Sequence, residues 1–140
     1  MTTYLLDTNA CIALINGTES SVRRRFRRAV GKNDILLLSS IVAFELWYGV
    51  NKSQRKENNT QRLEAFFAGP LEWAEFGEDD AREAGAVRAE LEAAGKPIGA
   101  YDVLLAGQAR QRGATLVTSN EREFDRVRHL KWEDWATSRR

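Results

Sequence analysis

The chain has 140 residues, of which 43% are hydrophobic and 29% charged, and its formal net charge is +1. This composition predicts one globular domain with a hydrophobic core of its own, and it argues against a uniformly basic nucleic-acid-binding surface. The single cysteine, Cys11, and the single histidine, His129, exclude an intramolecular disulfide, a zinc site built from Cys and His, and a ribonuclease mechanism that uses two histidines.

The first half of the chain alternates short apolar runs with amphipathic stretches, which indicates strands and helices. Residues 35–38 are all apolar, as in a parallel strand that helices cover on both faces. Val22, Phe26 and Val30 recur at the spacing of one helix face. In chain order, we predict a strand at 4–6, helices at 8–15 and 18–31, a strand at 35–38, and helices that begin at Ser39 or Ser40 and at Asn58.

The second half continues the alternation. Here we predict a strand around residues 71–76, a long helix from Asp79 or Asp80 to Gly95, a helix at 99–112, and strands at 114–117 and 130–132. No repeat or flexible linker divides the chain, so we expect one domain over residues 1–140. This order of elements predicts an α/β fold: a three-layer α/β/α domain with a mainly parallel central sheet.

Acidic residues recur where these predicted strands end. Asp7 directly follows the first strand, and Glu45 and Asp102 each interrupt an otherwise apolar helical stretch. Asn120 and Glu123 follow the fourth strand. Because the carboxyl ends of parallel strands meet at one edge of a sheet, we expect these side chains to converge there.

Such a cluster points to a metal ion. Buried ionised carboxylates are costly, and several together repel one another. A helix cap or a salt bridge to an arginine would explain any one of these acids, but a bound cation explains the set more simply. Since only oxygen ligands are available, the metal would be Mg²⁺ or Mn²⁺.

Five segments resemble the motifs of PIN-domain ribonucleases. They are YLLDTN at 4–9, SIVAFELWYG at 40–49, GKPIGAYD at 95–102, LVTSNEREF at 116–124 and WEDW at 132–135. They occur in the order found in that family and extend from Tyr4 to Trp135. Within the family, the sequence is most similar to the VapC toxins of bacterial VapBC toxin–antitoxin modules.

The resemblance implies an acidic set of Asp7, Glu45 and Asp102, with Asp7 and Asp102 as the direct metal ligands. Asn120 stands where many PIN domains have an aspartate, and toxins of this subtype commonly pair it with a glutamate three positions on, here Glu123. Asn120 is then a ligand, a group that orients water, or a substrate contact. The residues that resemble the family's orienting groups are Thr8, Asn9 and Thr118.

The resemblance also implies an activity and partners. The expected protein is a Mg²⁺- or Mn²⁺-dependent endoribonuclease toxin. Its expected substrate is RNA, specifically tRNA, and a VapB antitoxin is expected to neutralise it. A metal-activated water would attack the phosphodiester, and either Glu45 or Glu123 would accept its proton. We further expect a homodimer and, because the sequence has neither a signal peptide nor a membrane span, a cytoplasmic location.

Two alternatives are a phosphoacceptor receiver domain and a non-catalytic binding module of α/β fold. A receiver requires an acidic pair beside the first strand and an aspartate after the third, whereas Asp7 stands alone and the third strand is expected to end at Phe76 and Gly77. The intact set of Asp7, Glu45 and Asp102 argues against a module that has lost its activity.

Charge is unevenly distributed along the chain. Residues 1–62 hold ten Lys or Arg and five Asp or Glu, whereas residues 63–140 hold eleven and fifteen. Much of the excess positive charge in the first half lies on one predicted helix, which has arginines at positions 23, 24, 25, 27 and 28. These arginines form a solvated face, contact RNA phosphates or bind an acidic antitoxin segment, and the sequence does not choose among the three.

The remaining distinctive side chains are expected to be structural. Trp47 and Tyr48 are interpreted as packing residues, although they could stack on a base. Trp73, Trp132 and Trp135 are expected in the core, Cys11 buried and His129 at the surface.

Overall fold

Five short strands and seven helices make up the computed structural model, which describes residues 1–137. The first half comprises β1 (Thr3–Leu6), α1 (Thr8–Asn16), α2 (Ser20–Gly31), β2 (Ile35–Ser39), α3 (Ser40–Asn51) and α4 (Lys56–Phe67). The second half comprises β3 (Glu72–Ala74), α5 (Glu78–Ala93), α6 (Ala100–Arg112), β4 (Thr115–Val117), α7 (Glu121–Phe124) and β5 (Lys131–Glu133).

The strands form one sheet in the order β3-β2-β1-β4-β5, and every pairing is parallel. With right-handed crossovers, the rule for parallel strands, this order places α1 to α4 on one face of the sheet and α5 to α7 on the other, in agreement with the contacts among α1 to α4 and between α5 and α6. The predicted α/β/α architecture is therefore confirmed. The structure excludes a receiver-like fold. Such a fold has the strand order 2-1-3-4-5, with the third strand beside the first, whereas β3 of this protein lies at the sheet edge.

The core is centred on β1 and its two neighbours. Leu5, Leu6, Leu38 and Leu116 are completely buried, as expected for central strands covered by helices on both faces. Cys11 is buried with them and His129 is exposed, as predicted.

Two helices on one face pack unusually closely. At Gly107 of α6, an added Cβ would lie only 2.4 Å from the Cα of Ala84 on α5. Gln108, which is completely buried, also donates a hydrogen bond to the carbonyl of Ala74 at the end of β3, at 3.1 Å. These contacts fix α6, and with it the side chains of its first turn.

Several predicted boundaries and burials differ from the structure. The third strand ends at Ala74, before Phe76, and α7 has no predicted counterpart. Trp73 was expected in the core, but its side chain is 52% exposed because β3 is an edge strand. Trp135 is buried as predicted.

The acidic run at 72–83, interpreted from sequence as surface, contains one buried member. Asp80 accepts hydrogen bonds from the Gly77 amide at the start of α5 and from Arg112 of α6, at 2.9 and 3.0 Å. Across residues 1–137, no helix combines the length and apolar character needed to cross a membrane.

Candidate active site

Asp7 begins the site at the carboxyl end of β1. Its carboxylate caps α1 by accepting a hydrogen bond from the Ala10 amide at 2.8 Å, and only 8% of the residue is exposed. Burial raises the pKa of Asp7, while the hydrogen bonds from Ala10 and the Thr118 side chain lower it. An aspartate is a favoured N-cap, so the turn from strand to helix fixes this carboxylate at the sheet edge.

Glu45 reaches the same edge from α3. The Thr8 hydroxyl donates a hydrogen bond to Glu45 Oε1, so the residue after Asp7 holds the second acid. Ser39 caps α3 by accepting a hydrogen bond from the Ile41 amide at 3.1 Å, which fixes where the helix starts. The charge of Glu45 raises the pKa of Asp7, which places the two carboxylates in one electrostatic cluster.

Asp102 lies in the first turn of α6 and is half-buried. Burial raises its pKa to about 7, and a hydrogen bond with Glu123 and the charges of Glu123, Asp7 and Glu45 act in the same direction. Asp102 is therefore surrounded by acids. Its carboxyl group is neutral in a large fraction of molecules at neutral pH.

Asn120 and Glu123 form the fourth part of the site, around the short helix α7. The Asn120 side chain donates to Glu123 Oε1 at 3.3 Å, and the Gly99 amide donates to the same oxygen at 3.4 Å. The Asn120 amide donates to the Thr118 hydroxyl at 3.0 Å. The pKa of Glu123 is lowered, first by its hydrogen bond with Asp102, so Glu123 holds the negative charge of this pair.

The structure thus brings together the acids predicted from the sequence, which we call the acid cluster: Asp7, Glu45, Asp102 and Glu123. Within residues 1–137, every ion pair involves other carboxylates. The cluster is a concentration of negative charge that no neighbouring salt bridge neutralises.

The donor set of the acid cluster fits a hard divalent cation, because every available ligand atom is an oxygen. In the described part of the chain, no three His, Cys, Asp or Glu side chains are already arranged around one point. Mg²⁺ does not require three protein ligands, since it is commonly held by one or two carboxylates and keeps several waters.

Of the three expected orienting residues, two contact an acid. Thr8 binds Glu45, and the Thr118 side chain binds Asp7. Asn9 is exposed and makes no hydrogen bond with the acid cluster within the described residues.

One acid near the site escaped the sequence prediction. Asp134 directly follows β5, as Asp7 follows β1, and its charge raises the pKa of Asp7. It accepts hydrogen bonds from the Ser119 hydroxyl at 2.8 Å and from the Ala136 amide at 2.9 Å. Its position at a strand end was the available signal.

Exposed aromatic rings flank the acid cluster. Phe44 and Tyr101 precede Glu45 and Asp102 in sequence, and their ring centroids are 5.6 Å apart. Their exposed fractions are 53% and 46%. Trp47 packs against Phe67 as predicted, but Tyr48 was wrongly predicted to be a packing residue, because it is exposed and Lys52 lies over its ring.

Comparison with known proteins agrees with this geometry. The family model described as PIN domain matches residues 4–130. The chain is 41% identical over 136 residues to the tRNA(fMet)-specific endonuclease VapC of Shigella flexneri, a match that covers 97% of this chain and 100% of that one. It is 41% identical over 132 residues to Ribonuclease VapC2 of Rickettsia felis, covering 94% and 97%.

A solved structure is similar over the same extent. The crystal structure of VapBC2 from Rickettsia felis bound to a DNA fragment from their promoter contains a chain with a TM-score of 0.89 and 40% identity. The match covers 96% of this chain and 99% of that chain.

Proposed function

This chain belongs to the PIN-domain family and, within it, to the VapC ribonucleases of VapBC toxin–antitoxin systems, and we propose that it hydrolyses tRNA at the acid cluster. The observation that supports the position of the site is the convergence of Asp7, Glu45, Asp102 and Glu123 at the carboxyl edge of a parallel sheet, without a neutralising salt bridge. The reaction takes place in the cytoplasm, where tRNA is available.

The initiator tRNA is the proposed substrate. The Shigella flexneri relative carries the name tRNA(fMet)-specific endonuclease and matches the chain at full length. The test is brief expression of the protein in bacteria, followed by sequencing of the 5′ ends of the cleaved RNAs. Cleavage at one site of the initiator tRNA supports the proposal, and cleavage confined to other RNAs contradicts it.

We assign Asp7 and Asp102 as the residues that hold Mg²⁺ or Mn²⁺. When bound, the ion supplies an activated water and stabilises charge that develops on the phosphate. The two ligands come from different elements, and both are held in place without the ion: Asp7 by the Ala10 amide, and Asp102 by the position of α6 on α5.

Glu45 is the proposed proton acceptor. Its Oε1 accepts the hydrogen bond from Thr8, which orients the carboxylate and leaves Oε2 without a protein donor within the described residues. Glu123 instead accepts hydrogen bonds from Asn120 and the Gly99 amide, and it is hydrogen-bonded to Asp102. Glu123 and Asn120 therefore orient Asp102.

The proposed partner is a VapB antitoxin, and we assign its binding site to a groove of about 380 Å³ beside Glu45. This groove is lined by apolar residues of α1, α3 and α4, including Ile12, Leu46 and Leu63. Ile12 is 40% exposed, so Ile12→Lys adds a charge to the groove without burying it and should weaken antitoxin binding strongly. The exposed substitution Arg82→Gln, on the other face of the sheet, is the control.

A homodimer through Phe44 and Tyr101 is also proposed. Their exposed rings lie next to an apolar groove of about 560 Å³ along α5 and α6, and a continuous apolar surface of this kind is typical of interfaces. Light scattering on the antitoxin-free protein should give a dimer for the wild type and a monomer for Tyr101→Glu. A wild-type monomer at high concentration would contradict this assignment.

A further inference from the structure

Helix α2 carries more positive charge than its packing requires. Two of its arginines have intramolecular contacts. Arg25 pairs with Glu133 at 3.4 Å and lies over the ring of Trp135, and the Arg23 guanidinium rests against Gly17, where it covers the C-terminal end of α1. The other cations of this helix and its C-cap are exposed and make no ion pair within residues 1–137; we call them the basic strip: Arg24, Arg27, Arg28 and Lys32.

The basic strip leads away from the active-site edge. At the start of α2, the Ser21 hydroxyl donates to the carbonyls of Trp135 and Ala136, at 2.8 and 2.9 Å, beside the carboxyl ends of β4 and β5. At the other end of the helix, the Asp34 amide donates to the carbonyl of Ala29, and β2 begins one residue later. Twelve helical residues span about 18 Å, so the strip is a rigid row of cations across one side of the domain.

This row of charges costs the helix stability. Arg24 and Arg28 are spaced i, i+4, as are Arg28 and Lys32, and like charges at this spacing destabilise a helix by about 0.2–0.5 kcal/mol per pair. At the same spacing, α5 instead has an attractive pair, Arg88 with Glu92, at 3.0 Å. A merely solvated face would be more stable with mixed charges, so the repulsion in α2 indicates a ligand of opposite charge.

We propose that the basic strip binds the phosphate backbone of the RNA substrate outside the segment that is cleaved. The proposal rests on the proposed function, because it supposes an RNA substrate longer than the acid cluster can cover. Repeating phosphates match a row of cations that has no apolar residue among its exposed members. A protein partner needs buried apolar anchors, and the groove that offers them is lined by α1, α3 and α4 instead.

The test compares the double variant Arg24→Gln/Arg28→Gln with a matched control, Arg82→Gln/Arg128→Gln. The control removes the same charge from exposed positions on α5 and after α7. Glutamine keeps the helix propensity of arginine, so both proteins should fold. Binding to a full-length initiator tRNA transcript is measured at 50 and 200 mM salt in a cleavage-inactive Asp102→Asn background. Cleavage of a short oligoribonucleotide that carries only the cleaved segment is measured with Asp102 restored.

The salt slope is the decrease in the logarithm of tRNA affinity per unit increase in the logarithm of salt concentration. Each phosphate contact contributes about 0.7 to 0.9 to this slope. Removal of two contacts should therefore lower the slope by about 1.4 to 1.8, so that over this fourfold salt range the control loses about tenfold more affinity than the double variant. Cleavage of the short oligoribonucleotide should not change. The melting temperature of the double variant should change little, since the loss of two repulsive pairs offsets the loss of the favourable charge of Arg28 in the last turn of α2.

Two results would overturn the proposal. Equal tRNA affinity and equal salt slope in the two double variants would make the strip a solvated face. Unchanged tRNA binding together with weaker VapB binding would make it an antitoxin contact. Neither result contradicts the proposed function. That function would instead be contradicted if the wild type failed to cleave the short oligoribonucleotide.

Discussion

Asp102 on α6 and Glu123 on α7 are hydrogen-bonded to each other through their carboxyl groups. The two carboxyl groups both lie beside Gly99, and burial together with Glu123 raises the pKa of Asp102 while Asp102 lowers the pKa of Glu123, so Asp102 is the member of the pair that favours its protonated form. The metal-free site therefore limits its own negative charge by keeping a proton that a bound cation would displace.

Neutral substitutions of the two proposed ligands should separate activity from stability. Asp7→Asn and Asp102→Asn should each abolish cleavage, yet leave the metal-free protein as stable as the wild type or more stable, because Asp7→Asn removes a charge from the acid cluster and Asp102→Asn replaces a carboxyl group whose ionisation the cluster disfavours. Asparagine still accepts a hydrogen bond from the Ala10 amide, so the cap of α1 survives in the Asp7 variant. Thermal melts in EDTA and cleavage assays in Mg²⁺ are the two measurements. A large loss of stability in either variant would make these acids structural.

The raised pKa of Asp102 predicts how metal-free stability depends on pH. Its pKa is about 7 in the folded protein, against an ordinary value of 3.8. The folded state thus binds this proton more tightly, so its contribution to stability is present at low pH and is lost as the pH rises towards and through 7. Denaturant melts in EDTA should show the wild type losing stability between pH 5.5 and 7.5 relative to Asp102→Asn. Parallel curves for the two proteins would show that Asp102 is already ionised at pH 5.5.

Metal removal should abolish the chemistry. Cleavage should vanish in EDTA and return with Mg²⁺ or Mn²⁺, since oxygen ligands favour these ions. The products should carry a 5′-phosphate, because water attacks the phosphodiester and not the ribose 2′-hydroxyl. Full activity in EDTA, or products that end in a 2′,3′-cyclic phosphate, would contradict the mechanism.

The position of several acids at the sheet edge could be predicted from sequence, because it depends only on which strand or helix lies next to each acid in the chain. Asp7 follows a strand directly, so a correct strand assignment also placed the acid at the sheet edge. Asp134 follows β5 in the same way, but the strand was predicted to end at residue 132 and ends at Glu133, so the predicted boundary did not place Asp134 directly after it. Helix α7 has four residues, too few for any periodicity to reveal it.

Long-range packing accounts for the failures. Trp73 and Asp80 have side chains whose burial depends on neighbours far along the chain: Trp73 lies on an edge strand, and Asp80 meets Arg112 of α6. Residue type predicts a buried tryptophan and an exposed aspartate, and both expectations were overridden by topology.

Adding a single methyl group at Gly107 tests how much the close packing of α5 against α6 contributes to stability. Gly107→Ala would bring a Cβ within 2.6 Å of three atoms of Ala84, two of them backbone atoms, so the helices must separate. We expect a loss of about 1–3 kcal/mol in the free energy of unfolding. The control is Gly49→Ala in α3, where a Cβ meets nothing within 4 Å and should stabilise the helix by about 0.5–1 kcal/mol. Equal effects in the two variants would show that α6 can shift at little cost.

The hydrogen bond from Thr8 to Glu45 provides a test of the proton acceptor. Thr8→Val keeps the shape of the side chain but removes the hydroxyl that orients Glu45, so kcat should fall by about tenfold to a hundredfold while KM changes little. Thr8→Ser restores the donor and should recover most of the loss. If Glu45 accepts the proton, Glu45→Gln should be at least as impaired as Thr8→Val, and the double variant no worse than Glu45→Gln alone, because Thr8 acts through Glu45. Additive losses would show that Thr8 and Glu45 act independently, and a Glu45→Gln variant that keeps wild-type kcat would contradict the assignment of Glu45 as the proton acceptor.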